Sequence, residues 1–350
     1  MRPLIWLVGA AIVAVAFWQA VGAPALSSRE GGSLPPGAGE PVTVVVEQGE
    51  DAGSIAQKLA RAEVIGSARR FRALVVLQGY GGKLRAGEYE LEKGMPVALV
   101  IERLVGGLTK AFKVTVPEGI RVEQVAELLE RKGVVKAQEF LEALDPSLYQ
   151  SALLEGMPSG LGLEGYLFPD TYFFSSRATA QEVVAAMLAD LEARFSADLR
   201  QEAAGEGLSI HEVLTLASIV EREAALPQEM PTIASVFRNR IALGMRLDAD
   251  PTIQYALAND PVQLAQHGYW KRELAEQDTA VVSPYNTYKR VGLPPGPIAG
   301  MGLTAIEAVV RPAQTNYLYF VAKGDGGHAF ATTLEEHVAN VRRYMGDGGP

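Results

Sequence analysis

The sequence predicts an α+β protein carried on a single N-terminal transmembrane helix, and three observations support this. An uncharged apolar run opens the chain, strand–turn–helix patterns recur in its first half, and helical periodicities with few strands fill the second. The length of 350 residues supplies two or three domains. A net charge of −9 argues against a nucleic-acid partner. There is no cysteine, which excludes disulfides, thiolate zinc sites and cysteine nucleophiles together.

After Met1-Arg2-Pro3, the run from Leu4 to Ala23 contains no charged residue, and Gln19 is its one clearly polar position. About 20 apolar residues are enough to cross a bilayer. Trp6 and Trp18, near the two ends, suit the interfacial belts. Val21-Gly22-Ala23 also offers the small-residue cleavage site of a secretory signal, but the uninterrupted length favours an anchor. Residues 1–3 then stay in the cytoplasm and everything after residue 23 lies outside. Residues 24–41, with Gly31-Gly32 and Pro35-Pro36, read as a flexible linker.

Val44 to Ile65 can be laid over Val114 to Val135 at an offset of 70. Gly49 then falls on Gly119, Ile55 on Val125, Ala56 on Ala126, Leu59 on Leu129 and Val64 on Val134. Each copy reads as a short strand, a glycine turn and an amphipathic helix. The first copy continues through a second helix, Ala68 to Gln78, to an alternating strand, Glu88 to Leu91. The expectation is a small α/β module over 42–110 and a second β-turn-α unit over 111–150.

From 151 to 346 the texture is that of a mixed α+β domain. Helices are expected over Ala180–Phe195, His211–Ala224 and Pro231–Leu243, the last opened by Pro231 and stopped by Gly244. Asp250-Pro251 reads as a cap and first-turn proline of a short helix through Tyr255. A strand over Tyr317–Ala322 and a closing helix over Leu334–Met345 complete the list.

The helix from His211 to Ala224 carries the most chemistry. Leu216, Val220 and Glu223 share one seam, and Leu214, Ala217 and Glu221 share the next. Both glutamates extend apolar stripes at a helix C-terminus, where burial and the dipole both disfavour a carboxylate. A carboxyl kept protonated in this way can act as a general acid. Spacing alone leaves the choice between Glu221 and Glu223 open, and also leaves open that both are ordinary solvated charges. Tyr285-Asn286-Thr287-Tyr288 and Leu293-Pro294-Pro295-Gly296-Pro297-Ile298 add aromatic faces and amides on rigid backbone, which suit sugar rings.

Several motifs, in one order, resemble the endolytic murein transglycosylases, the MltG or YceG-like family. They are Glu164-Gly165-Tyr166-Leu167-Phe168-Pro169-Asp170-Thr171-Tyr172, Ala217 to Glu223, Ser235-Val236-Phe237-Arg238-Asn239-Arg240 and Gly244 to Thr252. Tyr285 to Tyr288, Gly292 to Ile298, Tyr317 to Ala322 and Gly327-His328 continue the series. The resemblance covers about Gly162 to Tyr344, and the anchor and a LysM-like module before it are similar to the family's as well. Two departures occur: Val338 follows His337 where an amide is usual, and Gly300-Met301-Gly302 replaces a proline-containing turn.

The resemblance implies that Glu223 is the catalytic acid, protonating the bond between N-acetylmuramic acid and N-acetylglucosamine within a peptidoglycan strand. As a carboxylate it then takes the proton of the muramic C6 hydroxyl, which attacks the anomeric carbon to give a 1,6-anhydro end. No cofactor or metal is implied. A metal held by His328, His337 and Glu336 is disfavoured by their loose spacing. Glu164, Tyr166, Asp170, Glu221, Asn239, Asp250, Tyr285, Asn286, Tyr288 and His328 are the candidate cleft residues. Peptidoglycan synthases are the expected neighbours, on the outer side of a bacterial inner membrane. A hydrolase using Asp250 or Glu164 to activate water, and a wall-binding scaffold without activity, are the competing readings.

Overall fold

The computed structural model describes residues 39–107 and 111–346. The predicted anchor over Leu4–Ala23 and most of the linker lie outside them. Within the described residues no helix is long and apolar enough to cross a membrane. The chain divides into two compact units. The smaller takes in 39–44, 51–82 and 90–102, and the larger takes in 45–50, 83–89 and 103–346.

The first module runs β1 (Pro41–Val46), α1 (Ala52–Arg61), α2 (Ala68–Leu77) and β2 (Gly87–Glu92), with α3 (Val97–Gly106) following. β1 and β2 pair as a two-stranded sheet. Asp51 starts α1: its Oδ1 accepts the backbone N–H of Gly53 at 2.6 Å and of Ser54 at 3.2 Å. Ile55, Ala56 and Leu59 of α1 are buried, as are Phe71 and Val75 of α2, and the two helices pack together.

The repeat read from the sequence is present in space. The larger unit opens with β3 (Ala111–Thr115), α4 (Val122–Arg131) and α5 (Ala137–Glu142), so α1 and α4 lie 70 residues apart at both ends. Val125, Ala126, Leu129 and Val134 are buried like their counterparts. Gly49 and Gly119 both adopt positive φ, +79° and +73°. The second copy finds its closing strand in β4 (Thr171–Ser175), which pairs antiparallel with β3 from Ala111↔Ser175 to Thr115↔Thr171. Sequence pattern did not disclose this strand, because its partner lies about sixty residues back along the chain.

Next come α6 (Ala180–Arg194), α7 (Ala197–Gly205), α8 (Ile210–Glu223), α9 (Met230–Ala242), α10 (Asp250–Leu257) and α11 (Pro261–His267). α12 (Leu303–Val310), the hairpin β5 (Tyr319–Ala322) and β6 (His328–Ala331), and α13 (Leu334–Met345) close the chain. The unit is mixed α+β, as expected. α5, α7, α11, α12 and β6 were not foreseen; α12 reads as a short apolar run with no resolvable period. Asp250 is the first helical residue of α10, and the cap position belongs to Ala249. The reading of Asp250 as a cap is therefore corrected.

α8 is the central helix. Ser209 caps it in a reciprocal box with Glu212: Ser209 N–H donates to the Glu212 carboxylate at 2.8 Å, and Glu212 N–H donates to Ser209 Oγ at 3.2 Å. Every residue from Val213 to Val220 is buried, against α7, α9, α10 and α12. A helix covered on all sides is apolar on all sides, which explains why its seams did not separate the two glutamates.

Candidate active site

The neighbours of α8 separate them. Glu221 faces the turn before α12 and accepts the Gly302 N–H at 3.1 Å. Burial, partly offset by that bond, and the negative Glu118 raise its carboxyl above the ordinary value. Glu223 turns the other way, and no group among the described residues hydrogen-bonds its carboxyl. Part of the residue reaches solvent, yet burial of the carboxyl pushes its pKa up to about 8, with the charge of Asp250 adding to the shift. Arg222 and Arg240 oppose it. At neutral pH Glu223 therefore holds a proton that has no acceptor among the described residues.

The groups around Glu223 come from three other segments. Asp250 begins α10, where the positive end of the helix favours an anion. Its Oδ1 accepts the hydroxyl of Tyr288 at 2.6 Å. Burial, and then the bond to Asp250, hold that phenol well above its usual value. Thus a carboxyl at the negative end of one helix and a carboxylate at the positive end of another influence each other directly. A carboxyl raised by burial and by a neighbouring carboxyl can donate a proton near neutral pH.

Sequence reasoning missed two residues here. Arg240 is buried on α9. Its Nε donates to Leu318 O at 2.6 Å, and its Nη1 donates to Leu247 O at 2.8 Å. These bonds hold the guanidinium rigidly where it bears on Glu223. Asp248 has φ +47°, a left-handed conformation that Asp tolerates better than most residues. Its carboxylate lies beside Arg240 and Arg246, at 3.5 and 3.4 Å. Both residues stand inside quoted motifs, but nothing in the sequence reports that Arg240 is buried beside Glu223, and nothing in it reports a positive φ at aspartate.

Glu164 and Tyr285 belong to a second group. Glu164 accepts the Val122 N–H at 3.3 Å, and burial followed by the charge of Glu123 pushes its pKa up to about 8. Tyr285 packs on Tyr255 with ring centroids 4.7 Å apart, and Arg121 lies over the Tyr255 ring at 4.1 Å. Arg121 is buried, donating to Asn259, Glu123 and Tyr255 O. α10 carries one residue to each group, Asp250 to the first and Tyr255 to the second.

The remaining candidates are braces or surface groups. Asn239 donates to Thr315 O and Tyr317 O, both at 2.9 Å, and so fixes the approach to β5. Tyr166 is buried, with its hydroxyl 2.8 Å from His211 Nδ1, while His211 Nε2 is 2.7 Å from Pro295 O. A carbonyl only accepts, so Nε2 carries hydrogen and Nδ1 of the neutral ring accepts from the phenol. Ser218 Oγ accepts the Ile298 N–H at 3.0 Å, tying the same proline-rich loop to α8. Asp170 pairs with Arg194 at the surface and accepts the Thr171 N–H. His328 donates its backbone N–H to Glu229 and pairs with it through Nδ1 at 2.7 Å. Glu336 accepts from Thr332 and Thr333, the latter in the capping box of α13. Among the described residues, no three carboxylate or imidazole side chains group as a metal site.

Asn286 is fully buried and orders the segment that carries Tyr288. Its amide donates to Thr279 O at 3.0 Å and Val281 O at 2.7 Å, and its oxygen accepts the Tyr288 N–H at 2.9 Å. Thr287 Oγ1 bonds Ala249 N–H at 3.0 Å and meets Thr252 Oγ1 at 2.9 Å, tying this segment to the start of α10. Asn286→Ala leaves two carbonyls and an N–H unpaired. A loss of about 3 kcal/mol is expected, read as a lower midpoint in thermal or urea unfolding.

The YceG-like family model matches residues 44–343. An endolytic murein transglycosylase of Bacillus subtilis is 34% identical over 317 residues, 87% of this chain and 85% of that protein. One of Streptococcus pneumoniae is 31% identical over 328 residues, 87% of this chain but 58% of the longer relative. The crystal structure of a yceG-like protein of Listeria monocytogenes superposes with a TM-score of 0.56 at 33% identity. That match covers 86% of this chain and 99% of the other. The motifs, the fold and these matches agree: the chain belongs to the YceG-like family.

Proposed function

We propose that the protein is an endolytic lytic transglycosylase of peptidoglycan in which Glu223 is both acid and base. The observation that carries this reading is the Glu223 carboxyl, pushed up to about 8 and without a hydrogen bond among the described residues, beside the Tyr288–Asp250 pair. Glu223 protonates the glycosidic oxygen as the C1–O bond breaks, releasing the N-acetylglucosamine side with a 4-hydroxyl. The muramic C6 oxygen bonds to C1, and its proton returns to Glu223. Atoms balance without water, and the acid is regenerated. Asp250 disfavours the Glu223 anion before the step, and Arg240 eases its formation during the step.

The test is digestion of purified sacculi read by mass spectrometry. Products ending in 1,6-anhydro-muramic acid are expected; reducing ends would assign the site to a hydrolase, and binding without release to a scaffold. Asp250→Asn is expected to move the alkaline limb of the rate to lower pH. Without the neighbouring anion the Glu223 pKa falls, so the acid loses its proton earlier as pH rises. A pH–rate profile of the variant against the parent measures it.

The β-α-α-β order of the first module supports a LysM-like glycan-holding role. The uncharged run at Leu4–Ala23 supports a single-pass anchor in the bacterial inner membrane, with the domains outside. An enzyme placed there meets strands as they are made, which supports work beside peptidoglycan synthases and termination of nascent strands.

A further inference from the structure

α2 carries a surface that its own fold does not explain. Arg69 and Arg70 stand in its first turn, which holds no acidic residue, and Arg72 follows. Cations are disfavoured at a helix N-terminus, so these positions weaken the helix they occupy. Phe71 and Val75 face the core of the small unit, while Val76 and Leu77 are 76% and 82% exposed. At 100° per residue, Arg72, Val76, Arg69, Ala73, Leu77 and Arg70 follow one another around the outer arc of the helix. Arg72 reaches over Gly53 toward the Asp51 carboxylate at the start of α1, whereas Arg69 and Arg70 have no acidic partner among the described residues. In a chain of net charge −9, no acidic residue occurs between Glu63 and Glu88.

We propose that this outer face of α2 docks on an anionic phospholipid bilayer. The arginines meet lipid phosphates, and Val76 and Leu77 enter the boundary between headgroups and acyl chains. Charge complementarity selects an anionic partner, and two neighbouring exposed aliphatic side chains select lipid over a polyanionic wall polymer, which offers them no apolar phase. Reach agrees, given the reading of Leu4–Ala23 as an anchor: residues 24–40 separate that run from β1, a contour length of at most about 60 Å.

The absence of cysteine makes the test direct. Leu77→Cys in the full-length chain is labelled with an environment-sensitive fluorophore and mixed with phosphatidylcholine vesicles, with or without phosphatidylglycerol. Quenching by spin-labelled lipid is expected with phosphatidylglycerol and is lost at high salt. Arg69→Glu, Arg70→Glu and Arg72→Glu combined should weaken docking on the order of 100-fold or more. A label at the fully exposed Val282 should remain unquenched in both vesicles. Equal signals at position 77 in the two vesicle types would overturn the proposal. Protection of position 77 by isolated glycan strands and not by lipid would transfer the surface to the wall. The position-77 signal reads docking whether or not Leu4–Ala23 inserts, and anhydro-end formation is scored separately. Failure of the anchor, of the docking face and of the enzymatic reading are therefore distinguishable, and circular dichroism melting checks that each variant folds.

Discussion

Glu223→Gln is expected to cut the release of anhydro-muropeptides from sacculi by roughly 10²–10⁴-fold, the usual worth of a positioned general acid. The substitution keeps the shape of the side chain and removes its proton. Parent-like release by the purified variant would end the assignment. The parent should also lose activity as pH rises through about 8, because the deprotonated carboxyl has nothing to donate. Stability carries a second signature. The folded value of about 8 lies above the ordinary 4.5, so folding costs nothing at this position below about pH 4.5. The penalty then grows with pH and levels off above about 8. Glu223→Gln should therefore melt higher than the parent at neutral pH while being inactive, and a variant that is inactive because it is misfolded would not do so.

Gly165→Ala is expected to destabilise the larger unit by about 2–5 kcal/mol, through left-handed strain and overpacking together. Gly165 has φ +75°, and a Cβ there would run into the ring of Pro297, with Ala299 O 3.2 Å away. None of these neighbours is the movable end of a flexible side chain. The damage should reach activity as well, because the displaced segment is the proline-rich loop held by His211 at Pro295 and by Ser218 at Ile298. Chemical unfolding measures the first effect and sacculus digestion the second. An unchanged midpoint would mean the loop is far looser than its bonds imply.

Local pattern made α8, α9 and the offset-70 repeat legible, because each buries residues at its own period within a short window. The placement of Glu223 was legible only through motif resemblance. Burial encloses α8 on all sides, and what distinguishes Glu221 from Glu223 is the Gly302 N–H on one side and Asp250 on the other, both remote in sequence. The same limit hid Arg240, Asp248 and the pairing of β4. Asn239, Asn286 and Tyr166 suggest carbohydrate contact by residue type, yet their polar atoms are engaged by backbone carbonyls or by His211. An amide in a motif signals a needed hydrogen bond without saying to whom.

The strand pairing of β3 with β4 bears on how this protein can be dissected. Of the two copies of the repeat, the first closes with β2 inside 41–92, whereas the second closes only by borrowing Thr171–Ser175 from the far side of a long excursion. Val125, Leu129 and Phe140 of that second copy share one apolar cluster with α8 and its neighbours. A cut near residue 150, where the sequence texture changes, would strip β4 of its partner and leave a raw strand edge over an opened core. The piece that can be lifted out as a working enzyme therefore begins ahead of β3, and the second copy of the module has become the foundation of the half that follows it.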